Sequence, residues 1–436
     1  LVASLLIRIW GIKQGLPYSY NADEATHFVP RAIDFFSHDL NPHYFLNPPG
    51  YSYLLYIVLE LWFGSADAVR STFTSDPTAV YVVARLVAAV LGTATVLLTY
   101  LAGARLIGRA GGLLAAAVMG FGFLPVFYSH LALNDVPTLA PVALSLYGIA
   151  GVLRRGRKRD YAIAGVGIGL AAATKYTGGI TAVCLLAAFI GDAAGDGLRR
   201  AGPRLLLAGV LAGLAFFVAN PYAFLDTSSF LDGVNAQASL AAGGGDPGKL
   251  GLHGGGTSYY VWTLTWGLGW VPALAALAGA VLMVLRRRVA LALVLLPAPI
   301  IFIIFMGNQQ RFFGRWLLPI FPIVALLAAY GTVELVRRLA GFIDPGAQRR
   351  GVAVVVMALA AVLLLAQSVI ADIHNDAVLS RPDTRNAARN WMVGHIPAGA
   401  RVVIEPMVPD NWATDIGRSL PWMQSGERWY RYPTWL

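Results

Sequence analysis

The decisive stretch of this sequence is Asn-Ala-Asp-Glu-Ala at residues 21–25, where two adjacent carboxylates follow a hydrophobic segment. An aromatic, proline-rich run follows at residues 41–53. Ionisable side chains beside a membrane are costly and usually serve a function. Asp23 and Glu24 are therefore the first candidate site. The alternative is that they are acids favoured by the dipole of a helix predicted over residues 25–36.

The composition is that of a membrane protein with many spans. Of the 436 residues, 57% are hydrophobic and 13% are charged, whereas a soluble domain carries about 25% charged residues. The mean hydropathy is +0.62. The net charge of +10 lies in short clusters between apolar runs and not in a basic stripe with exposed aromatics. This pattern predicts an all-α polytopic protein surrounded by membrane lipids, and no binding of nucleic acid.

The apolar runs predict about eleven transmembrane helices within residues 1–372. They are 1–10 (the end of a first helix), 79–105, 111–129, 135–153, 161–174, 178–192, 205–219, 260–285, 289–306, 316–336 and 352–371. The run 51–63 covers only about 20 Å of a hydrocarbon core of about 30 Å, and is predicted to lie at the membrane interface. The helix 25–36 is predicted to turn one apolar face towards lipid, with Phe28, Val29, Ala32, Ile33, Phe35 and Phe36.

Loop charges predict the orientation. Basic connectors face the cytoplasm by the positive-inside rule, and they include residues 105–109, 154–159, 199–204, 286–288 and 337–350. The alternate connectors face the other side, namely 13–78, 128–137, 175–179, 220–259 and 308–315. The alternation requires that 51–63 does not cross. It predicts a site on the extracytoplasmic face of a plasma membrane.

The last part of the chain has a different composition. Residues 373–436 carry charges and no apolar run. A helix over 384–395 and a strand over 401–405 are predicted there. We therefore expect a small α/β extracytoplasmic domain that follows a transmembrane domain of residues 1–372.

The outward loops combine acids with bases. Asp23 is suited to take a proton from a hydroxyl group, and arginine binds phosphate with a planar fork of donors. Asp135 and Glu24 are candidates to orient the acceptor or a divalent cation. The cationic candidates for a phosphate are Lys175, Arg311 and Arg315. Further substrate-binding candidates in these loops are Tyr44, Tyr176, Asn220, Tyr222 and His253.

Each candidate also has a purely structural interpretation. Asp135 could cap the helix 135–153, and Lys175 could snorkel from a helix end. Arg311 and Arg315 could pair with lipid headgroups or with Asp226. The histidines show no metal-ligand spacing, so a structural zinc site is not expected. His253 could simply be part of a flexible glycine-rich loop.

These pieces resemble the GT-C membrane glycosyltransferases, specifically the family related to protein O-mannosyltransferases and the lipid A aminoarabinose transferase. The matching pieces occur in the family's order at residues 23–25, 41–53, 128–137, 173–178, 220–222 and 311–319. The resemblance implies a GT-C fold with interfacial helices in the first outward loop. It also implies a polyprenyl-phosphate-sugar donor and an inverting transfer, with Asp23 as the base and Asp135 as the second acid.

The predicted function is therefore glycosyl transfer. A hexosyl or pentosyl unit would move from the lipid-linked donor to a hydroxyl group on a lipid, glycan or protein. The family's acceptor-binding parts are not recognisable, so the sugar and the acceptor stay open. A transporter or flippase of a lipid-linked sugar is the alternative. The candidate residues crowd into the loops of one side, whereas an alternating-access site lies near the midplane.

Overall fold

The computed structural model describes residues 1–37, 39–242, 255–343 and 349–396, together with Trp412. Within these ranges the chain is helical and contains no β-strand, so the predicted all-α membrane fold is confirmed. The helix expected over 384–395 is present as Thr384–His395. The strand expected over 401–405 lies outside the described residues.

Short helices build the first outward loop. After α1 (Val2–Ile9), a π-helical turn over Glu24–Phe28 leads into α2 (Val29–Asp34). Then come α3 (Gly50–Phe63) and α4 (Ala66–Ser75), and the chain bends by 96° between them. The 14 residues of α3 span about 21 Å, so α3 alone is shorter than a hydrocarbon core of about 30 Å.

The remaining helices follow in chain order. They are α5 (Thr78–Leu106), α6 (Arg109–Phe121), α7 (Phe123–Tyr128), α8 (Leu139–Arg155), α9 (Lys158–Thr174), α10 (Thr181–Asp196), α11 (Leu198–Ala219), α12 (Tyr222–Leu225), α13 (Thr227–Ala241), α14 (Gly256–Gly267), α15 (Trp270–Leu285), α16 (Val289–Leu295), α17 (Pro297–Gly307), α18 (Phe321–Ile343), α19 (Arg349–Leu379) and α20 (Thr384–His395). Turns of 3₁₀ helix cover Tyr176–Ile180 and Gly314–Ile320.

Several of these helices are suited to cross a membrane. Among the described residues, six helices are long and apolar enough, and the number rises to eight if each of two bent helix pairs is one span. The protein is thus a multi-pass membrane protein. The predicted count of eleven is not confirmed, because the helices in the runs 1–10, 111–129, 135–153 and 161–174 have at most 17 residues each.

Small residues allow the helices to approach closely. A Cβ atom at Gly148 of α8 would lie 2.4 Å from the backbone nitrogen of Ala164 on α9. A Cβ atom at Gly165 would lie 2.2 Å from the carbonyl oxygen of Ala208 on α11. Such contacts are typical of membrane helix pairs. The most apolar window of α18 is 94% buried, against 11% for α11, so α18 lies at the centre of the bundle.

The first outward loop has a hydrophobic core of its own. Tyr51, Leu55 and Leu59 of α3 are fully buried there, against residues of α5. This corrects the expectation that the 25–36 helix turns its apolar face towards lipid. Because α2 packs on α3, most of that face is buried inside the protein, namely Phe28, Val29, Ala32, Phe35 and Phe36.

A buried ion pair joins this loop to α5. Arg85 Nε donates to Glu24 Oε1 at 2.8 Å, and Nη2 donates to Oε2 at 2.7 Å. The remaining nitrogen, Nη1, donates to the carbonyl oxygens of Ile12 and Gln14 at 2.8 and 2.9 Å. Glu24 is fully buried. Arg85 therefore fixes both the turns at residues 12–14, where the chain enters the loop, and the acidic turn that carries Glu24.

Neutralising Glu24 is expected to destabilise the fold strongly. In Glu24→Gln the Arg85 charge stays buried without its partner, and breaking such a pair costs about 3–5 kcal/mol. Arg85 and the N–H of Ala132 hold the pKa of Glu24 below its usual value, although burial alone would raise it. The pair should therefore stabilise the protein above the ordinary carboxyl pKa and lose this contribution as the pH falls. Thermal unfolding of the purified protein in detergent, measured across pH, tests both effects.

The matched control is Glu60→Gln. Glu60 lies on α3 of the same loop and is half-buried, and the described residues show no ion pair for it. We expect the Glu60 variant to unfold close to the wild-type temperature and to keep the wild-type acid dependence. Equal losses in the two variants would show that Glu24 contributes no more than an ordinary surface carboxylate.

Candidate active site

Asp23 lies at the start of the π-helical turn. The Asn21 side-chain oxygen accepts hydrogen bonds from the backbone N–H groups of Asp23 and Glu24 at 3.1 and 3.2 Å, so Asn21 caps this turn. The two neighbouring carboxylates then point into different environments. The side chain of Asp23 is 35% exposed, whereas that of Glu24 is 0% exposed. Asp23 is therefore the accessible acid of the pair.

Asp135 lies in the turn between α7 and α8. The Asn134 amide donates to the carbonyl oxygen of Thr174 at 2.9 Å, and the Thr138 hydroxyl donates to the carbonyl oxygen of Asn134 at 2.7 Å. These bonds tie the turn to the end of α9. Asp135 is buried, with a side-chain exposure of 4%. It does not cap α8, which begins only at Leu139.

Lys175 follows the last residue of α9 in an extended conformation. Its ammonium group donates to Asp135 Oδ1. Burial lowers the pKa of the Lys175 ammonium, and the facing Asp135 carboxylate opposes this shift. The bond directs the ammonium towards the acids and away from the membrane surface, so Lys175 is a member of this cluster and not a snorkelling lysine.

Arg315 joins the two acids. It comes from the 3₁₀ turn that precedes α18, and its Nη2 donates to Asp23 Oδ2. Its Nε lies 3.4 Å from Asp135 Oδ2. The Phe313 ring lies 4.8 Å from the guanidinium carbon and helps to hold the group in place. We call the four side chains Asp23, Asp135, Lys175 and Arg315 the charged cluster.

Two predicted aromatic residues lie near the charged cluster. The Tyr44 ring stacks on His27 with 5.2 Å between centroids, and His27 in turn faces Asp23. The Tyr176 hydroxyl donates to the carbonyl oxygen of Phe45 at 2.8 Å. Tyr176 thus ties the segment after Lys175 to the aromatic run of the first loop.

The other predicted binding residues show no hydrogen bond or ion pair to the charged cluster among the described residues. Asn220 is buried and donates to the carbonyl oxygen of Ala173 at 3.2 Å, which is a packing contact. Tyr222 begins α12 and is half-buried. The Arg311 guanidinium lies 5.8 Å from the Phe313 ring, and the described residues show no ion pair for it. His253 lies outside the described residues.

Glu24 does not face the charged cluster, which corrects the expectation that it orients an acceptor or a cation. Both of its oxygens are bound by Arg85, and they also accept bonds from Ala132 N at 2.7 Å and from Ser19 Oγ at 2.6 Å. No free acceptor position points outwards. Glu24 is a structural residue that positions its neighbour Asp23.

Sequence reasoning missed two partners. Arg85 lies inside a predicted span, and a charge at that depth requires a partner, which is Glu24. His27 lies four residues after Asp23, a spacing that places two side chains on one helical face. Its Nε2 is 3.9 Å from Asp23 Oδ1. The i, i+4 spacing in the sequence could therefore have predicted this contact.

The two acids of the charged cluster are paired with cationic side chains. No group of three or more His, Cys, Asp or Glu side chains within the described ranges is arranged to hold a metal ion. Asp23 and Asp135 are instead neutralised by Lys175 and Arg315, and Glu24 by Arg85.

Part of the chain matches a known protein family. The family described as dolichyl-phosphate-mannose-protein mannosyltransferase matches residues 77–222, which include Asp135 and Lys175. A search among curated proteins gave no match.

Solved structures share the fold over most of this chain. ArnT from Cupriavidus metallidurans in the apo state superimposes with a TM-score of 0.63 at 14% identity, over 96% of this chain and 84% of that chain. The same protein bound to undecaprenyl phosphate gives a TM-score of 0.60 at 14% identity and the same coverage. The archaeal oligosaccharyltransferase AglB from Archaeoglobus fulgidus, in complex with an inhibitory peptide and a dolichol-phosphate, gives 0.54 at 14% identity, over 99% and 60%. The resemblance predicted from the sequence is thus confirmed, and the chain has the fold of the GT-C membrane glycosyltransferases.

Proposed function

We propose that this protein is a membrane glycosyltransferase that moves a sugar from a polyprenyl-phosphate donor to a hydroxyl acceptor at the extracytoplasmic face, with inversion. The observation that carries the proposal is the charged cluster, where one accessible carboxylate lies beside two cations. The comparisons support the class of donor. ArnT from Cupriavidus metallidurans binds undecaprenyl phosphate, and AglB from Archaeoglobus fulgidus binds a dolichol-phosphate.

Lys175 and Arg315 are the groups suited to the donor phosphate. Both are largely buried, with side-chain exposures of 13%, and charge-assisted bonds are strong where water is excluded. Asp135 contacts both cations and fixes their positions before a donor arrives. The phosphate gains negative charge when the sugar leaves. Preorganised cations stabilise that developing charge without further rearrangement.

Asp23 is suited to be the base. Its Oδ2 is occupied by Arg315, whereas its Oδ1 shows no hydrogen bond to the described residues and lies 3.9 Å from His27 Nε2. Oδ1 can therefore take the proton of an acceptor hydroxyl. The hydroxyl oxygen then forms a bond to the anomeric carbon while the bond from that carbon to the phosphate oxygen breaks. The electron pair of the broken bond stays on the phosphate, and a single displacement of this kind inverts the anomeric carbon.

The helix ends support an extracytoplasmic site. The helices α8, α9 and α18 each begin or end beside the charged cluster, and each carries basic residues at its opposite end. At that opposite end Arg105 pairs with Asp160 at 3.2 Å, and Arg286 pairs with Glu334 at 3.1 Å. Basic ends normally face the cytoplasm. The charged cluster therefore belongs to the other face.

Replacing the base should stop the reaction. We expect Asp23→Asn to lower turnover by a factor of about 100 or more, since a positioned base contributes about that much. Binding of undecaprenyl phosphate should stay nearly intact. Turnover is measured as undecaprenyl phosphate released from a panel of undecaprenyl-phosphate-linked hexoses and pentoses, with membrane extracts as the acceptor source.

Asp39→Asn serves as the control for this measurement. Asp39 is an exposed acid of the same outward loop and pairs with His43 at 2.9 Å. Its variant should keep wild-type turnover. Wild-type turnover in the Asp23 variant would remove Asp23 from the mechanism. A further outcome is that labelled donor crosses the membrane of liposomes containing the wild-type protein without any glycosyl transfer. That result would instead favour the alternative function, a transporter or flippase of a lipid-linked sugar.

Removing a cation should weaken binding of the lipid phosphate. We expect Lys175→Met and Arg315→Gln each to raise the Kd for undecaprenyl phosphate about tenfold or more, because each loses a bond between charged groups. Titration calorimetry in detergent measures this. The control is Lys13→Met, which removes an exposed lysine from the same face. Unchanged affinity in both cluster variants would place the phosphate elsewhere.

A further inference from the structure

His27 is the titratable side chain next to Asp23 that the proposed reaction does not yet use. Its Nε2 lies 3.9 Å from Asp23 Oδ1, the carboxylate oxygen that Arg315 leaves free. This separation is too long for a direct hydrogen bond. One intervening water molecule or a small side-chain rotation is enough to close it. The His27 side chain is 31% exposed, so it also has access to solvent.

The imidazole ring is held in place by an aromatic neighbour. It stacks on Tyr44 with an interplanar angle of 25°. The Arg31 guanidinium carbon lies 3.6 Å from the centroid of the same tyrosine ring, and the Asn47 amide donates to the Tyr44 hydroxyl at 3.0 Å. Because stacking already restricts rotation of the imidazole ring, little further conformational freedom is lost when the ring accepts a proton. The stacking also keeps Nε2 directed towards Asp23.

The surroundings keep His27 neutral and ready to accept a proton. Burial lowers the pKa of the imidazole, Asp23 opposes the shift, and Arg31 adds to it. Among the described residues, the titratable groups against the ring are Asp23, Arg31 and the stacked Tyr44 phenol. The imidazole Nδ1 is buried, and a backbone hydrogen bond with Thr26 raises the pKa of the ring and so also opposes the effect of burial. Nε2 is thus the nitrogen available for exchange.

We propose that His27 receives the proton that Asp23 takes from the acceptor hydroxyl and releases it to solvent, which returns Asp23 to its charged form. The inference rests on the proposed function and adds a positioning residue that acts through Asp23. The π-helical turn over Glu24–Phe28 carries His27 to this position, and such turns are frequent at functional sites.

The proton follows a balanced route. It leaves the acceptor oxygen for Asp23 Oδ1 as that oxygen bonds to the anomeric carbon. It then passes to His27 Nε2, which requires that the neutral ring carries its own proton on Nδ1. His27 becomes an imidazolium, and its exposed edge transfers the proton to water. No oxidant, reductant or further reactant is needed. The structural alternative is that His27 and Asp23 form an ion pair at spacing i, i+4, which stabilises the turn without exchanging protons.

Histidine NMR tests the coupling without any substrate. The chain contains seven histidines, and ¹³C labelling of their rings gives separate titration curves, with His27 identified by the signal lost in His27→Asn. We expect Asp23→Asn to lower the pKa of His27 by about half a pH unit or more, because the carboxylate that raises it is gone. His43, which pairs with Asp39 instead, should not shift. An unmoved His27 would overturn the proposal.

Turnover of the donor panel tests the proton route. We expect His27→Asn to lower kcat about tenfold or more with little change in KM. It should also remove the loss of activity at low pH that protonation of His27 causes in the wild type. In His27→Ala, added imidazole should restore part of the rate. The matched control is His43→Asn, an exposed histidine of the same loop, which should behave as the wild type.

The outcomes separate the two proposals. If the wild type turns over no donor of the panel, the proposed function fails, while the NMR titration still decides whether His27 and Asp23 are coupled. If the wild type is active and His27→Asn keeps its rate and pH profile, only the role of His27 fails. A lowered rate with an unchanged pH profile and no rescue by imidazole assigns His27 to the structural alternative and overturns the proton route.

Discussion

The buried pair of Glu24 and Arg85 is the interaction on which the outward loop depends. Two charges without solvent are stable only when their hydrogen bonds are complete, and here every nitrogen of the Arg85 guanidinium has an acceptor. The pair fastens the loop to α5, the helix that also packs on α6 and α8. Because Glu24 is immobile, the residue before it has a fixed position too.

The two adjacent acids therefore differ in what they can do. Glu24 has no free acceptor position, whereas Asp23 keeps one oxygen available. The loop with Asp23 must meet the turns that carry Asp135, Lys175 and Arg315, which lie far apart in the chain. Arg315 contacts both acids and so connects the first loop to the centre of the bundle, where α18 begins. The charged cluster thus also holds together four segments that are distant in the sequence.

The sequence predicted much of this arrangement, because each residue of the charged cluster follows or precedes an apolar run, and loop charges tell the two sides apart. It could not show that Glu24 points away from Asp23, since adjacent residues on a turn diverge only once a partner such as Arg85 is in place. It also placed the apolar face of α2 towards lipid. Periodicity identifies an apolar face, but lipid and a neighbouring helix such as α3 are equally apolar.

The charge balance of the cluster agrees with the proposed chemistry. The two carboxylates and two cations of the cluster have a net charge of zero. A bound donor phosphodiester adds one negative charge. When the sugar leaves, the lipid phosphate becomes a monoester and gains a second negative charge. Transfer of the acceptor proton to Asp23 removes one of the cluster's own negative charges at the same moment. Lys175 and Arg315 are then less engaged by acids and more available to the leaving phosphate. In the proposed reaction the arrival of the proton and the stabilisation of the leaving group favour each other. The proposed departure of that proton through His27 would return the cluster to its starting charge for the next donor.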